Sequence, residues 1–139
     1  MKKIVVLGGG YAGVLTAKKF KKDQDVSITL IDKQSYHTML TELHEVAAGR
    51  VDEESIRMDL KKIFAGRKVD VVLDEITSID FEQKVLTSNS TKYDYDYLVM
   101  GTGCKPTFFG IPGSENAHQL WSYTDAVNLR EHILNMRCV

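Results

Sequence analysis

Ile4–Leu7 is an unbroken apolar run rich in β-branched residues, the pattern of a strand covered on both faces. Glycines follow at once. Tyr11–Lys22 then reads as a helix, with Ala12, Leu15 and the Lys19/Phe20 turn along one side. Lysines crowd its far end, where they suit the helix dipole. Val26–Ile31 is a second strand, so the first 31 residues spell β-α-β, a crossover that implies a parallel, right-handed pair. In Tyr36–Gly49, Leu40, Leu43, Val46 and Ala47 recur at helical spacing, with Gly49 as the stop. Asp59 is placed to cap a helix over Leu60–Ala65, closed by Gly66.

Val69–Leu73 is strand-like again, and after it the rhythm changes. Ile76–Asp80, Lys84–Thr87 and Tyr93–Tyr97 are short β-type runs, with turns at Asp80–Gln83 and Ser88–Ser90 and no room for crossover helices. The pattern predicts an antiparallel β-meander, about residues 69–97, inserted into a parallel sheet. Leu98–Met100 returns to an apolar run that ends on Gly101. Ile111-Pro112-Gly113 is a turn. Ser122–Asp125 resembles a capping box that opens a last helix through Ala126, Leu129, Ile133 and Met136. The predicted fold class is α/β.

Composition narrows the field. The 139 residues are 43% hydrophobic and 27% charged, within the range of an ordinary globular domain. Lys+Arg 18 against Asp+Glu 19 leaves −1, which argues against a nucleic-acid partner. No apolar run approaches the ~20 residues of a membrane span. Lys2 and Lys3 before an apolar stretch imitate a signal peptide, but Gly8–Gly10 interrupts it and lysines follow. The expected setting is cytoplasmic, in line with two cysteines, Cys104 and Cys138, too far apart to suggest a disulfide framework.

The sharpest signal is GxGxxG at Gly8, Gly10 and Gly13, directly after a predicted strand and opening a predicted helix. The first glycine permits the tight turn, the second lets a pyrophosphate approach the backbone, and the third lets helix and strand pack closely. The helix start then offers N–H groups and partial positive charge to phosphates. Asp32 ends the second strand, 32 − 13 = 19 positions after the last glycine, where an acid accepts hydrogen bonds from ribose hydroxyls. A carboxylate there repels a ribose 2′-phosphate, which favours FAD or NAD over NADP.

The glycine loop alone does not separate flavin from nicotinamide. TKYDYDYLVMGTGCKP, Thr91–Pro106, resembles the second motif of flavoproteins with two dinucleotide-binding domains, in which a strand ending in (A/G)TG meets the FAD. SYHTMLTELHEVAAG, Ser35–Gly49, and FFGIPGSENAHQLWSYTDAVNLREHI, Phe108–Ile133, are similar to segments of type II NADH dehydrogenases. Many of those proteins carry a proline where this chain has Thr41.

The resemblance implies a Rossmann-like FAD/NAD(P)-binding fold, expected to be incomplete. Residues 1–110 would form the FAD-binding portion. Residues 111–139 would form a connector and helix leading toward a missing NADH-binding domain. It implies hydride transfer from NADH to flavin and electron transfer on to a quinone or another acceptor. The parent protein would associate peripherally with a membrane. The implied cofactor-binding residues are Gly8, Gly9, Gly10, Tyr11, Ala12 and Gly13 on the pyrophosphate, and Asp32 and Lys33 beside the adenosine ribose. His37 joins them as an FAD contact, Ile76 offers backbone to adenine, and Thr102 and Gly103 form the second contact turn.

No side chain is assigned acid, base or nucleophile work, and the chain alone is expected to be inactive toward NADH. Alternatives are a non-catalytic nucleotide-binding module, a truncated fragment, or a flavoprotein using sulfide, ferredoxin or another small molecule. His37 and His44 have no third ligand in spacing, which argues against zinc. Thr38–Val46 lacks the CxxxxC of disulfide reductases, and Cys104 is expected to be a buried apolar thiol. Trp121 and the tyrosines at 93, 95 and 97 are expected to pack. An incomplete sheet leaves an unpaired edge, so self-association is expected.

Overall fold

The computed structural model describes residues 1–20 and 25–136. It divides into two compact units: residues 1–37 with 59–103, and residues 38–58 with 104–139.

The first unit is built on four parallel strands: β1 (Lys2–Leu7), β2 (Val26–Asp32), β5 (Asp70–Leu73) and β9 (Tyr97–Met100), in the order β5-β2-β1-β9. This is the doubly wound arrangement, in which the strand order reverses beside β1. Val6 and Leu30 are fully buried because a parallel sheet is covered on both faces. On one side lies α1 (Tyr11–Lys19), which packs Val14 and Ala17 against Ile4, Val6 and Ile28. The buried face of α1 is therefore Gly13, Val14 and Ala17, while Ala12 and Leu15 are exposed. That corrects the stripe expected through Ala12 and Leu15. The helix stops at Lys19, and Lys21 and Lys22 lie outside the described residues.

α3 (Leu60–Ile63) is short and capped by Asp59, whose carboxylate accepts the Lys62 N–H at 2.8 Å. Leu60 is its anchor, 1% exposed. The meander consists of β6 (Ile76–Asp80), β7 (Val85–Ser88) and β8 (Lys92–Asp94), antiparallel in that order. β5 belongs to the parallel sheet, so the meander spans 76–94 rather than 69–97. Tyr95 and Leu86 pack with Val5 and Ile31 beneath it. Asp94 and Asp96 leave that core to pair with β1: Lys3 Nζ meets Asp94 Oδ2 at 2.5 Å, and the Lys3 N–H donates to Asp96 Oδ2 at 2.7 Å.

The segment Tyr36–Gly49, in which helical spacing runs from Leu40 to Ala47, is three elements. It runs as β3 (Tyr36–Thr38), a 3-10 turn (Leu40–Glu42) and α2 (Leu43–Ala47). β3 pairs with β4 (Arg57–Asp59) in a two-stranded ribbon. Tyr36 and Thr38 suit a strand better than a helix. Gly49 does end α2, at φ +69°.

The second unit packs α2 on α4 (Tyr123–Met136) through Leu43, Val46, Ala47, Ile56 and Ala126. α4 opens on a reciprocal capping box. The Asp125 carboxylate accepts the Ser122 N–H at 2.8 Å, and Ser122 Oγ accepts the Asp125 N–H at 3.2 Å. No described helix is long and apolar enough to cross a membrane.

Candidate functional site

The register of the parallel sheet brings the site together. Leu7 pairs with Ile31 in β2 and with Met100 in β9, so three strands end at one level. Gly8 donates its N–H to Ile31 O at 2.8 Å, and Gly101 donates to Leu7 O at 2.8 Å. The glycine loop, Asp32 and the Gly101–Gly103 turn thus share the carboxyl end of the sheet, at its switch point, where ligands bind in open α/β folds. All twelve predicted site residues lie in the first unit.

The glycines divide by function. Gly8 has φ +105°, and a Cβ there would collide with the Gly101 carbonyl. A Cβ on Gly13 would collide with the Gly8 carbonyl. Both are demanded by packing. Gly10 differs: it is exposed, its φ of −74° suits any residue, and a Cβ would find nothing nearer than Gly101 O at 4.0 Å. The protein itself leaves that space open. Gly10 is also the N-cap of α1, with no side chain to cap the helix and no acid in the first turn. The positive end of α1 is left without a carboxylate of its own.

Asp32 is half-buried and divides its oxygens: Oδ2 accepts the Gly9 N–H at 2.5 Å and Oδ1 the Gln34 N–H at 2.7 Å. Each oxygen keeps a lone pair for a further donor. Lys33 is exposed and its ammonium pairs with Glu75 at 3.7 Å. Ile76 begins β6 opposite Ser88. Thr102 and Gly103 are exposed, and Thr102 N lies 3.2 Å from where a Gly8 Cβ would sit. His37 is 4% exposed, with Nδ1 2.9 Å from Gly9 O and its ring edge-on to Tyr11 at 4.8 Å.

A polar cluster that the sequence reading did not single out adjoins this end of the sheet. Asp74 Oδ2 accepts from Ser88 Oγ at 2.7 Å, Ser90 Oγ at 2.9 Å and Tyr93 OH at 2.6 Å. The Asp74 N–H donates to Asp32 O at 2.9 Å. The Tyr93 hydroxyl, foremost among those donors, holds the Asp74 carboxyl down at about 2, and the same bond holds Tyr93 up at about 12. Serines and an acid scattered over 20 residues carry no spacing signal; only the meander's folding gathers them.

Cys104 is exposed, not the buried thiol expected; its carbonyl accepts the Trp121 indole N–H at 3.1 Å. Trp121 and Tyr97 are 44% and 60% exposed, so neither is a core residue, whereas Tyr95 is. Cys138 lies outside the described residues. No group of three or more metal-ligating side chains occurs among the described residues.

The family model for pyridine nucleotide-disulphide oxidoreductases matches residues 2–139. The chain belongs to this family. A type II NADH:quinone oxidoreductase of Staphylococcus aureus is 38% identical over 136 residues, covering 95% of this chain and 34% of that protein. Among solved structures, the sulfide:quinone oxidoreductase of Aquifex aeolicus superimposes with TM-score 0.89 at 27% identity, over 99% of this chain and 33% of that one. NDH2 of Plasmodium falciparum, in complex with NADH, gives TM-score 0.83 at 23% identity, over 99% and 30%, a likeness of fold. The chain spans about a third of the length of the curated relatives it matches. The Rossmann-like architecture and the membership of an oxidoreductase family thus agree with the glycine fingerprint.

Proposed function

We propose that this chain is the FAD-binding portion of an NAD(P)H dehydrogenase that passes electrons from NADH to a quinone. The observation that carries the reading is Gly10: a glycine the fold does not require, held open at the start of α1. A pyrophosphate fits there, since its negative charge meets the positive end of α1 and its oxygens reach backbone that no Cβ shields.

Gly8–Gly13 would hold the diphosphate. Asp32 would accept the ribose hydroxyls through its remaining lone pairs, each such charged bond contributing about 1.5–3 kcal/mol. The Ile76 backbone would meet adenine, and Thr102 and Gly103 would close the second side. The Lys33 ammonium beside Asp32 pairs with Glu75 and is not held ready for a 2′-phosphate, which favours a plain ribose. Bound flavin supplies the two-electron chemistry, and the chain's own residues bind and orient it. The likeness to the Staphylococcus relative supports a quinone as the acceptor. The likeness to the Aquifex protein makes sulfide the competing substrate.

Titration of the purified chain with FAD tests the reading. Saturable binding is expected, weakened about tenfold to a hundredfold in Asp32→Ala. No binding to wild type refutes it. The 139 residues are expected to show no NADH oxidation with FAD and a quinone, and turnover would show that the nicotinamide site lies within them.

A further inference from the structure

We propose that His37 is a positioning residue for the phosphate cradle, acting through the Gly9 carbonyl rather than by touching the cofactor. The inference rests on the flavin-binding reading and adds a role to it. Gly9 occupies the position that the fingerprint leaves unspecified, yet each of its substituents is engaged. Its N–H donates to Asp32 Oδ2 at 2.5 Å, its carbonyl faces His37 Nδ1 at 2.9 Å, and a Cβ would lie 2.7 Å from Leu60 Cδ1. The carbonyl can only accept, so Nδ1 carries the proton and donates.

The consequence passes through one peptide plane. The Gly9 carbonyl and the Gly10 N–H belong to the same planar trans unit and point in opposite directions. Drawing the carbonyl toward the buried imidazole turns the Gly10 N–H the opposite way, away from His37, at a residue that is itself exposed. His37 is itself fixed by the edge-on Tyr11 ring and by burial at 4% exposure. Without the donor, the 9–10 peptide loses the contact that selects its orientation, and glycines on both sides permit it to rotate. His37 is then worth burying for the direction it gives an amide.

Two variants separate this role from plain core packing. His37→Phe keeps the ring and removes the donor. His37→Asn sacrifices the ring but places an amide N–H near the Nδ1 position. If His37 positions the loop, His37→Phe melts near wild type but binds FAD at least about tenfold more weakly, while His37→Asn stays within about threefold. Retained affinity in His37→Phe, or lost affinity in both variants with the fold intact, overturns the proposal.

A ligand-free readout keeps it independent of the flavin reading. The Gly10 amide resonance is expected to move in His37→Phe and to hold in His37→Asn; a resonance unmoved in His37→Phe overturns the positioning role. Wild type that binds no FAD while showing this amide pattern refutes the flavin reading and leaves the positioning intact. The imidazole nitrogen spectrum of wild type needs no variant: a proton on Nδ1 supports the bond, and a bare Nδ1 overturns it.

Discussion

Gly10 and Gly13 belong to one fingerprint but answer to different neighbours. A methyl on Gly13 would overlap the Gly8 carbonyl, which belongs to the backbone and cannot swing aside. Gly13→Ala is therefore expected to cost at least about 3 kcal/mol in urea denaturation. A methyl on Gly10 meets nothing nearer than 4.0 Å, so Gly10→Ala is expected to change stability by only about 0.5 kcal/mol while abolishing FAD titration. Equal losses of stability in both would mean that Gly10 serves the fold and not a ligand. At this scale the sequence was informative where spacing carries meaning: three glycines and Asp32 were legible because each has a fixed offset from a strand end. The close approach of Leu60 to Gly9 was not, since it spans 51 positions of sequence. Cys104 was misjudged because a single thiol beside an apolar strand has no pattern that tells inside from outside.

Among the elements, the meander was legible as alternating short runs, but the reason it stays docked was not. Asp74 at the end of β5 receives hydroxyls from β7, from the turn after it and from β8, and its own N–H reaches Asp32. The pH consequence has a definite sign. The folded pKa of Asp74 is lowered from 3.8 to about 2, so its contribution is complete above 3.8 and is lost as pH falls through 2. Tyr93 is raised from 10.0 to about 12, so its contribution is complete below 10.0 and is lost as pH rises through 12. The urea midpoint is expected to fall across each window in wild type. Asp74→Asn should flatten the acid limb and Tyr93→Phe the alkaline one; an unchanged acid limb in Asp74→Asn would place the acid sensitivity elsewhere. The 36–49 segment shows the opposite failure. Its apolar spacing is helical, but helix forms only over Leu43–Ala47, because β3 pairs with β4 and tertiary pairing overrides local pattern.

For the whole molecule, the order of the parallel strands and the meander was legible and the grouping was not, because residues 38–58 join 104–139 across a long gap in sequence. Each unit has apolar cores of its own. The first is centred on Val6 and Leu30 with a second layer at Ile31 and Leu86; the second is centred on Val46 and Ala126. Separate cores allow separate opening, and the smaller core sets the lower limit of protection. Leu43 is 4% exposed and packs within the second cluster. Leu43→Ala removes about 2–5 kcal/mol of that packing. Amide hydrogen exchange is expected to lose protection at Val46, Ala47 and Ala126 while Val6, Leu30 and Ile31 keep theirs. FAD titration of the same variant should stay near wild type, since the glycine loop, Asp32, His37 and the Gly101–Gly103 turn all lie in the first unit. Protection lost together in both units would mean that the chain folds as one cooperative body, and loss of FAD binding would carry the site beyond the glycine loop and its acid.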